Sequence, residues 1–173
     1  MQSVRAFFGG GDKPTTSSKS AHDFTVKSID GEDVPLSKYA GKVMLVVNVA
    51  SHQNYKELVQ LDNKYENLVV AAFPCNQFGA QEPGSAADIK AFAGKYGAKF
   101  PLFAKIDVNG ANASPFWKHL KESKSESGLM AMAGSDVKWN FAKFLVGKDG
   151  KTIERYAPTT SPLGIEADIV KAL

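Results

Sequence analysis

The sequence predicts an α/β domain with a central mixed sheet flanked by helices. The continuous apolar, largely β-branched runs Val43-Met44-Leu45-Val46-Val47-Asn48-Val49 and Leu68-Val69-Val70-Ala71-Ala72-Phe73 are the mark of strands buried on both faces. Between them Tyr55, Leu58, Val59, Leu61 and Tyr65 recur at three- and four-residue steps, the spacing of one helix face. Strand, helix, strand is a βαβ unit, which implies a parallel pair with a right-handed crossover.

The remaining elements follow in chain order. Phe24 to Lys27 and Val34 to Leu36, around Asp30-Gly31, read as two short strands joined by a turn. Ser37 is placed to cap a helical turn through Tyr39. Ser85 and Asp88 frame a capping box, with Ile89, Phe92, Ala93 and Tyr96 on one helical face. Ser114-Pro115 reads as another helix start, a hydroxyl cap with proline in the first turn. Phe141 to Val146, Asp149-Gly150 and Thr152 to Tyr156 read as a hairpin, and Pro162 to Leu173 as a closing helix. A hairpin, a βαβ unit, a helix, a second hairpin and a last helix together give a sandwich of thioredoxin-like type.

A chain of 173 residues suits one domain. Residues 1–20, with Gly9 to Gly11 and a Pro/Thr/Ser/Lys stretch, have no periodic apolar pattern and read as a flexible leader before a domain over 21–173. The alternative is the remnant of a targeting segment, since Arg5 and the hydroxyl residues suit one. A cytoplasmic protein is expected, with delivery to an organelle through the leader as the alternative. No apolar run reaches the length of a spanning helix. One cysteine excludes an internal disulfide framework, and three scattered histidines, His22, His52 and His119, argue against a dense metal cluster. The net charge of +3 is too small to imply a nucleic-acid partner.

Ligands of such a sheet bind beyond the carboxyl ends of the parallel strands. Ala50-Ser51-His52-Gln53 and Pro74-Cys75-Asn76-Gln77-Phe78-Gly79 occupy that edge, and Lys138-Trp139-Asn140 precedes a later strand. The run Phe73 to Gly84, FPCNQFGAQEPG, closely resembles the signature block of the glutathione peroxidase family. Trp139 to Val146, WNFAKFLV, is similar to that family's second signature, and Val47 to Ser51 with Asn54-Tyr55 resemble the two flanks of its active-site loop. Val108-Asn109-Gly110 and Arg155-Tyr156 extend the resemblance over about residues 22 to 173.

The resemblance implies thiol-dependent reduction of hydrogen peroxide and lipid hydroperoxides, with no metal or organic cofactor. A selenocysteine or cysteine attacks the peroxide, and thiols reduce it back. The nucleophile works as an anion and needs donors nearby. By motif those donors are Gln81, Trp139 and Asn140, whose N–H groups donate without taking a proton. The centre departs from the family. Only His52 and Gln53 stand between Ser51 and Asn54, and the stretch that is absent includes the nucleophile. The chain as written is therefore expected to be inactive. Either the native product carries selenocysteine at a codon read as stop, or the loop is lost and the product is a non-catalytic binding or regulatory module. In the second case Asn54 can cap a shortened helix.

Other residues receive plainer readings. Cys75 follows a buried strand and is expected to be a structural thiol rather than a substitute nucleophile. His119 is expected at the surface, and Lys121, Glu122, Lys124 and Glu126 as a solvated face. Members of the family that use thioredoxin-type reductants carry a second cysteine where this chain has Phe92-Ala93-Gly94-Lys95, which points to glutathione as reductant. The short segment between Pro115 and Trp139 resembles the monomeric phospholipid-hydroperoxide type, and transient contact with a membrane surface is a further expectation. Lys95, Lys99, Lys138 and Lys143 are available to assist glutathione or a lipid headgroup.

Overall fold

A computed structural model of the chain describes residues 19–51, 54–124 and 134–173. Most of the predicted leader, together with His52, Gln53 and Glu126, lies outside the described residues. Strands β1 (Thr25–Lys27) and β2 (Asp33–Pro35) form a small antiparallel hairpin. The main sheet runs β4-β3-β5-β6, from β3 (Val43–Val49), β4 (Leu68–Pro74), β5 (Lys143–Val146) and β6 (Thr152–Tyr156). β3 pairs parallel with β4 and antiparallel with β5, so the sheet is mixed.

Alternation along β3 divides the core in two. Met44 and Val46 face one side with Phe73, Phe103, Phe144 and the α3 (Pro115–Ser123) residues Phe116, Trp117 and Leu120. Val43, Leu45, Val47 and Val49 face the other, against Tyr55, Leu58 and Leu61 of α1 (Tyr55–Lys64) and Ile169 of α4 (Glu166–Ala172). Both faces of the strand are covered by helices, which is why its sequence lacks the polar alternation of a half-exposed strand. Ala93 of α2 (Ala86–Lys95) joins the second layer, and α2 opens on the Ser85–Asp88 capping box.

Several local expectations need correction. Pro35, not Ser37, stands at the cap of the 3₁₀ turn Leu36–Tyr39. Ser114 sits at the α3 cap without a side-chain bond, so the entry conformation there rests on Pro115 alone. Asn54 stands at the α1 cap in the left-handed region, φ 62°, and its side chain makes no capping bond. β5 begins at Lys143 because Phe141 is left-handed, φ 64°, which breaks the strand before Ala142. The closing helix starts as a 3₁₀ turn over Leu163–Ile165. Lys121 is buried rather than solvated: its Nζ donates to Asn109 Oδ1 at 3.2 Å and Asp136 Oδ1 at 3.4 Å. His119 is half-buried, with its ring 5.0 Å from that of Phe24. Lys143 is fully buried and cannot reach a surface ligand.

Candidate active site

Three distant segments meet past the carboxyl ends of β3 and β4. Backbone bonds bring them there: Cys75 N donates to Val49 O at 3.1 Å and Phe141 N to Asn48 O at 2.7 Å. Asn48, an amide within an otherwise apolar strand, donates through Nδ2 to Trp139 O at 3.1 Å. The end of β3 thus holds both the loop after β4 and the segment before β5.

The structure brings Gln81, Trp139 and Asn140 together. Asn140 is buried, and its Nδ2 donates to Gln81 Oε1 at 2.8 Å and to Phe78 O at 3.5 Å. With the Gln81 oxygen occupied, the amide end of Gln81 remains for a ligand. Trp139 is 47% exposed, an unusual place for an indole, with its ring 5.9 Å from that of Phe78. It lies over Gly79, where a Cβ would approach Trp139 Cη2 to 3.2 Å. A cavity of about 280 Å³ opens beside this group, lined by Asn54, Trp139, Asn140, Phe141, Pro158 and Thr159.

A ladder of side-chain amides supports the arrangement. Gln77 Oε1 accepts from the N–H of Val108 at 2.7 Å and of Asn109 at 3.0 Å, while its Nε2 donates to Asn109 O at 3.0 Å. Asn109 repeats the device one segment on, with Nδ2 to Val137 O at 2.8 Å and Oδ1 accepting Val137 N–H at 2.9 Å. The loop before α3 is thereby fixed to the loop after β4 and to the segment that leads into Trp139.

Beside the Ser51–Asn54 link lies a buried carboxyl. Glu82 is 1% exposed; it accepts from Ser51 Oγ, its backbone N–H donates to Asn76 Oδ1 at 2.9 Å, and its Oε2 has no hydrogen-bond partner among the described residues. Burial pushes its carboxyl up, against the Ser51 bond and the charge of Lys105. Tyr55, first residue of α1, is also buried, with a hydroxyl that has no hydrogen-bond partner among the described residues and is held well above the usual phenol range by burial and then by the Glu82 charge. Asn48, Gln77, Glu82 and Asn109 escaped the sequence reading as site residues. For Asn48 the signal was a polar residue inside a buried run, and for Glu82 a carboxylate next to Gln81 in the first signature block.

Cys75 is fully buried in the core layer with Phe73 and Phe103. Burial pushes its thiol up, with the Asp107 and Glu82 charges adding to this and backbone bonds at Gln77 and Val108 opposing it. Such a thiol is a poor nucleophile. Among the described residues no group of three His, Cys, Asp or Glu side chains is placed to hold a metal ion, and no helix is long and apolar enough to cross a membrane.

Comparison with known proteins gives the family. The family model for glutathione peroxidase matches residues 21–121. A Citrus sinensis protein named "Probable phospholipid hydroperoxide glutathione peroxidase" is 58% identical over 165 residues, covering 91% of this chain and 96% of its own. The chloroplastic phospholipid hydroperoxide glutathione peroxidase 1 of Arabidopsis thaliana is 53% identical, covering 90% of this chain and 67% of its own length. An Arabidopsis relative whose name includes "mitochondrial" is 54% identical, covering 90% of this chain and 68% of its own. The crystal structure of T. cruzi GPX1 superposes with a TM-score of 0.72 at 34% identity, covering 89% of this chain and 96% of that one. A thioredoxin family protein of Chlorobium tepidum shares the fold alone, with a TM-score of 0.63 at 12% identity over 91% of this chain and 97% of its own. The chain has the thioredoxin-like fold and belongs to the glutathione peroxidase family, with its likeness to the phospholipid hydroperoxide type.

Proposed function

We propose that this fold serves thiol-dependent reduction of hydrogen peroxide and lipid hydroperoxides to water and alcohols, with glutathione as reductant. The nucleophile belongs between Ser51 and Asn54, and Gln81, Trp139 and Asn140 are its donors. The observation that carries this reading is the Asn140–Gln81 bond beside a half-exposed Trp139, at the sheet edge where both flanks of the link end. In the cycle the anionic nucleophile attacks one peroxide oxygen, the O–O bond breaks, and the leaving oxygen takes a proton to become water or alcohol. The resulting selenenic or sulfenic acid forms a mixed bond with one thiol, releasing water. A second thiol displaces it as a disulfide.

This chain cannot complete the first step, because neither His52 nor Gln53 is such a nucleophile and Cys75 is buried. The loss is confined to one stretch with both flanks intact, which favours a native product carrying selenocysteine there. A binding or regulatory module without turnover is the alternative. α2 carries no cysteine, in keeping with glutathione rather than a thioredoxin-type reductant. The protein acts as a monomer, and Trp139 offers an exposed apolar group for transient contact with a lipid surface. The chloroplastic and mitochondrial names of its relatives support delivery to an organelle through the leader over a cytoplasmic location.

The test is to sequence the mature transcript across the Ser51–Asn54 junction and to assay this chain beside one with a cysteine-bearing family loop inserted there. An in-frame UGA or cysteine codon, with turnover only in the restored chain, supports the reading. A transcript running directly from Ser51 through His52 and Gln53 to Asn54, with a restored chain that stays inactive, overturns it.

A further inference from the structure

Lys143 is wholly shielded from solvent in the main sheet, opposite Val47 of β3 and Tyr156 of β6. A buried ammonium needs acceptors. It finds them in the loop that follows β6, where its Nζ donates to Pro158 O at 3.4 Å and to Thr160 O. The loop has anchors at both ends: Tyr156 Oη donates to Asp168 Oδ2 at 2.9 Å, and Leu163 N–H to Glu57 Oε2 at 3.0 Å. Between those anchors, the turn closed by Thr160 N to Ala157 O is tied to the sheet through Lys143. Pro158 and Thr159 of this turn line the cavity that Trp139, Asn140 and Phe141 line from the other side.

We propose that Lys143 is a positioning residue: it fixes the Pro158–Thr160 turn as one wall of the cavity beside Trp139, and so shapes the slot that receives the acyl chain of a lipid hydroperoxide. The identity of the occupant rests on the functional reading above; the wall itself does not. Burial lowers Lys143 to about 8, against the opposing Glu57 charge on α1. Hydrogen bonds from a charged donor are stronger than those from a neutral one, so the wall is held below that pH and loosens above it. The acidic group facing Lys143 from α1 is Glu57. Tyr156 on β6 is pushed above this window by burial and by Asp168 of α4.

Acrylamide quenching reads the wall without any turnover, because Trp139 is exposed and Trp117 is wholly buried. The native chain is expected to show an about twofold rise in quenching as pH passes from about 7 to about 9.5, following the loss of the charge-assisted bonds. Lys143→Met is expected to show the raised value at pH 7 already and no pH dependence, with several-fold weaker binding of linoleate hydroperoxide read by Trp139 emission. Flat quenching in the native chain, or a variant that behaves like it, overturns the proposal. Should Lys143→Met fail to fold, hydrogen exchange of the Ala157, Thr159, Thr160 and Ser161 amides in the native chain, corrected for intrinsic rate, decides: acceleration above about pH 8 supports the tether and its absence refutes it. Failure of the restored-loop chain to turn over would sink the functional reading and leave this quenching result standing.

Discussion

Asn140 and Gln81, 59 residues apart in the chain, share a 2.8 Å bond between their carboxamides. Asn140 is buried and Gln81 half-buried, so the bond links a fixed group to one that a ligand can reach. Replacing Asn140 by Ala deletes the donor and leaves the Gln81 oxygen without it. The expected cost is about 1 kcal/mol, or roughly 2–4 °C in Tm for a chain of this size. Asn140→Asp should lose more, because a buried carboxylate has no N–H to give and sets its oxygens against those of Gln81 and Phe78. Melting curves within error of the native chain for both variants would show that the bond contributes nothing.

Gly79 carries the Trp139 ring. Its φ of 63° is a left-handed conformation, and a Cβ there would sit 3.2 Å from Trp139 Cη2. Gly79→Ala is therefore expected to cost about 1–2 kcal/mol from the backbone alone. It should also push the indole outward, seen as a red shift of Trp139 emission and stronger acrylamide quenching. Unchanged emission with lowered stability would mean that only the backbone responds.

The layers of the fold were legible because burial on two faces leaves long apolar runs, as at Val43–Val49 and Leu68–Pro74. The Ser85–Asp88 box was legible because its chemistry is local. Gln81, Trp139 and Asn140 could be nominated only through whole signature blocks; alone, Trp139 reads as core, yet it is half-exposed. What periodicity hides is where long side chains end. Lys121 and Lys143 look like surface lysines in a one-dimensional pattern, but each finds acceptors on a distant segment, Asn109 and Asp136 for one, the Pro158 and Thr160 carbonyls for the other. Asn54 shows the converse: a residue type suited to capping stands at the cap with its backbone left-handed and its side chain unused.

Glu82 makes stability fall with rising pH. Burial raises its carboxyl in the folded state above the unfolded value of about 4.3, so the folded chain holds the proton more tightly. Its contribution is therefore fully present below the unfolded value and is lost as pH rises through the folded one. Glu82→Gln removes that loss while keeping an oxygen for the Ser51 hydroxyl. The variant should match the native chain near pH 4 and exceed its Tm near pH 7. Ser51→Ala should do the opposite, because it removes a bond that favours the charged form. Chemical denaturation at both pH values checks the pair, and a Glu82→Gln variant less stable at pH 7 would show that the carboxylate has a stabilising partner.

Cys75 should be chemically silent in the native state. The thiol is fully buried, and burial holds it above the ordinary thiol range, so neither access nor thiolate is available. Labelling by a disulfide reagent at neutral pH is expected to be slower than in denaturant by about a hundredfold or more, since it must await opening of the core. Cys75→Ser should leave any peroxidase activity of the restored-loop chain unchanged and lower stability by about 1 kcal/mol, because a hydroxyl replaces a small apolar sulfur in the packed layer. Rapid native labelling, or turnover by this chain that disappears in Cys75→Ser, would instead make the thiol a working nucleophile and overturn its structural assignment.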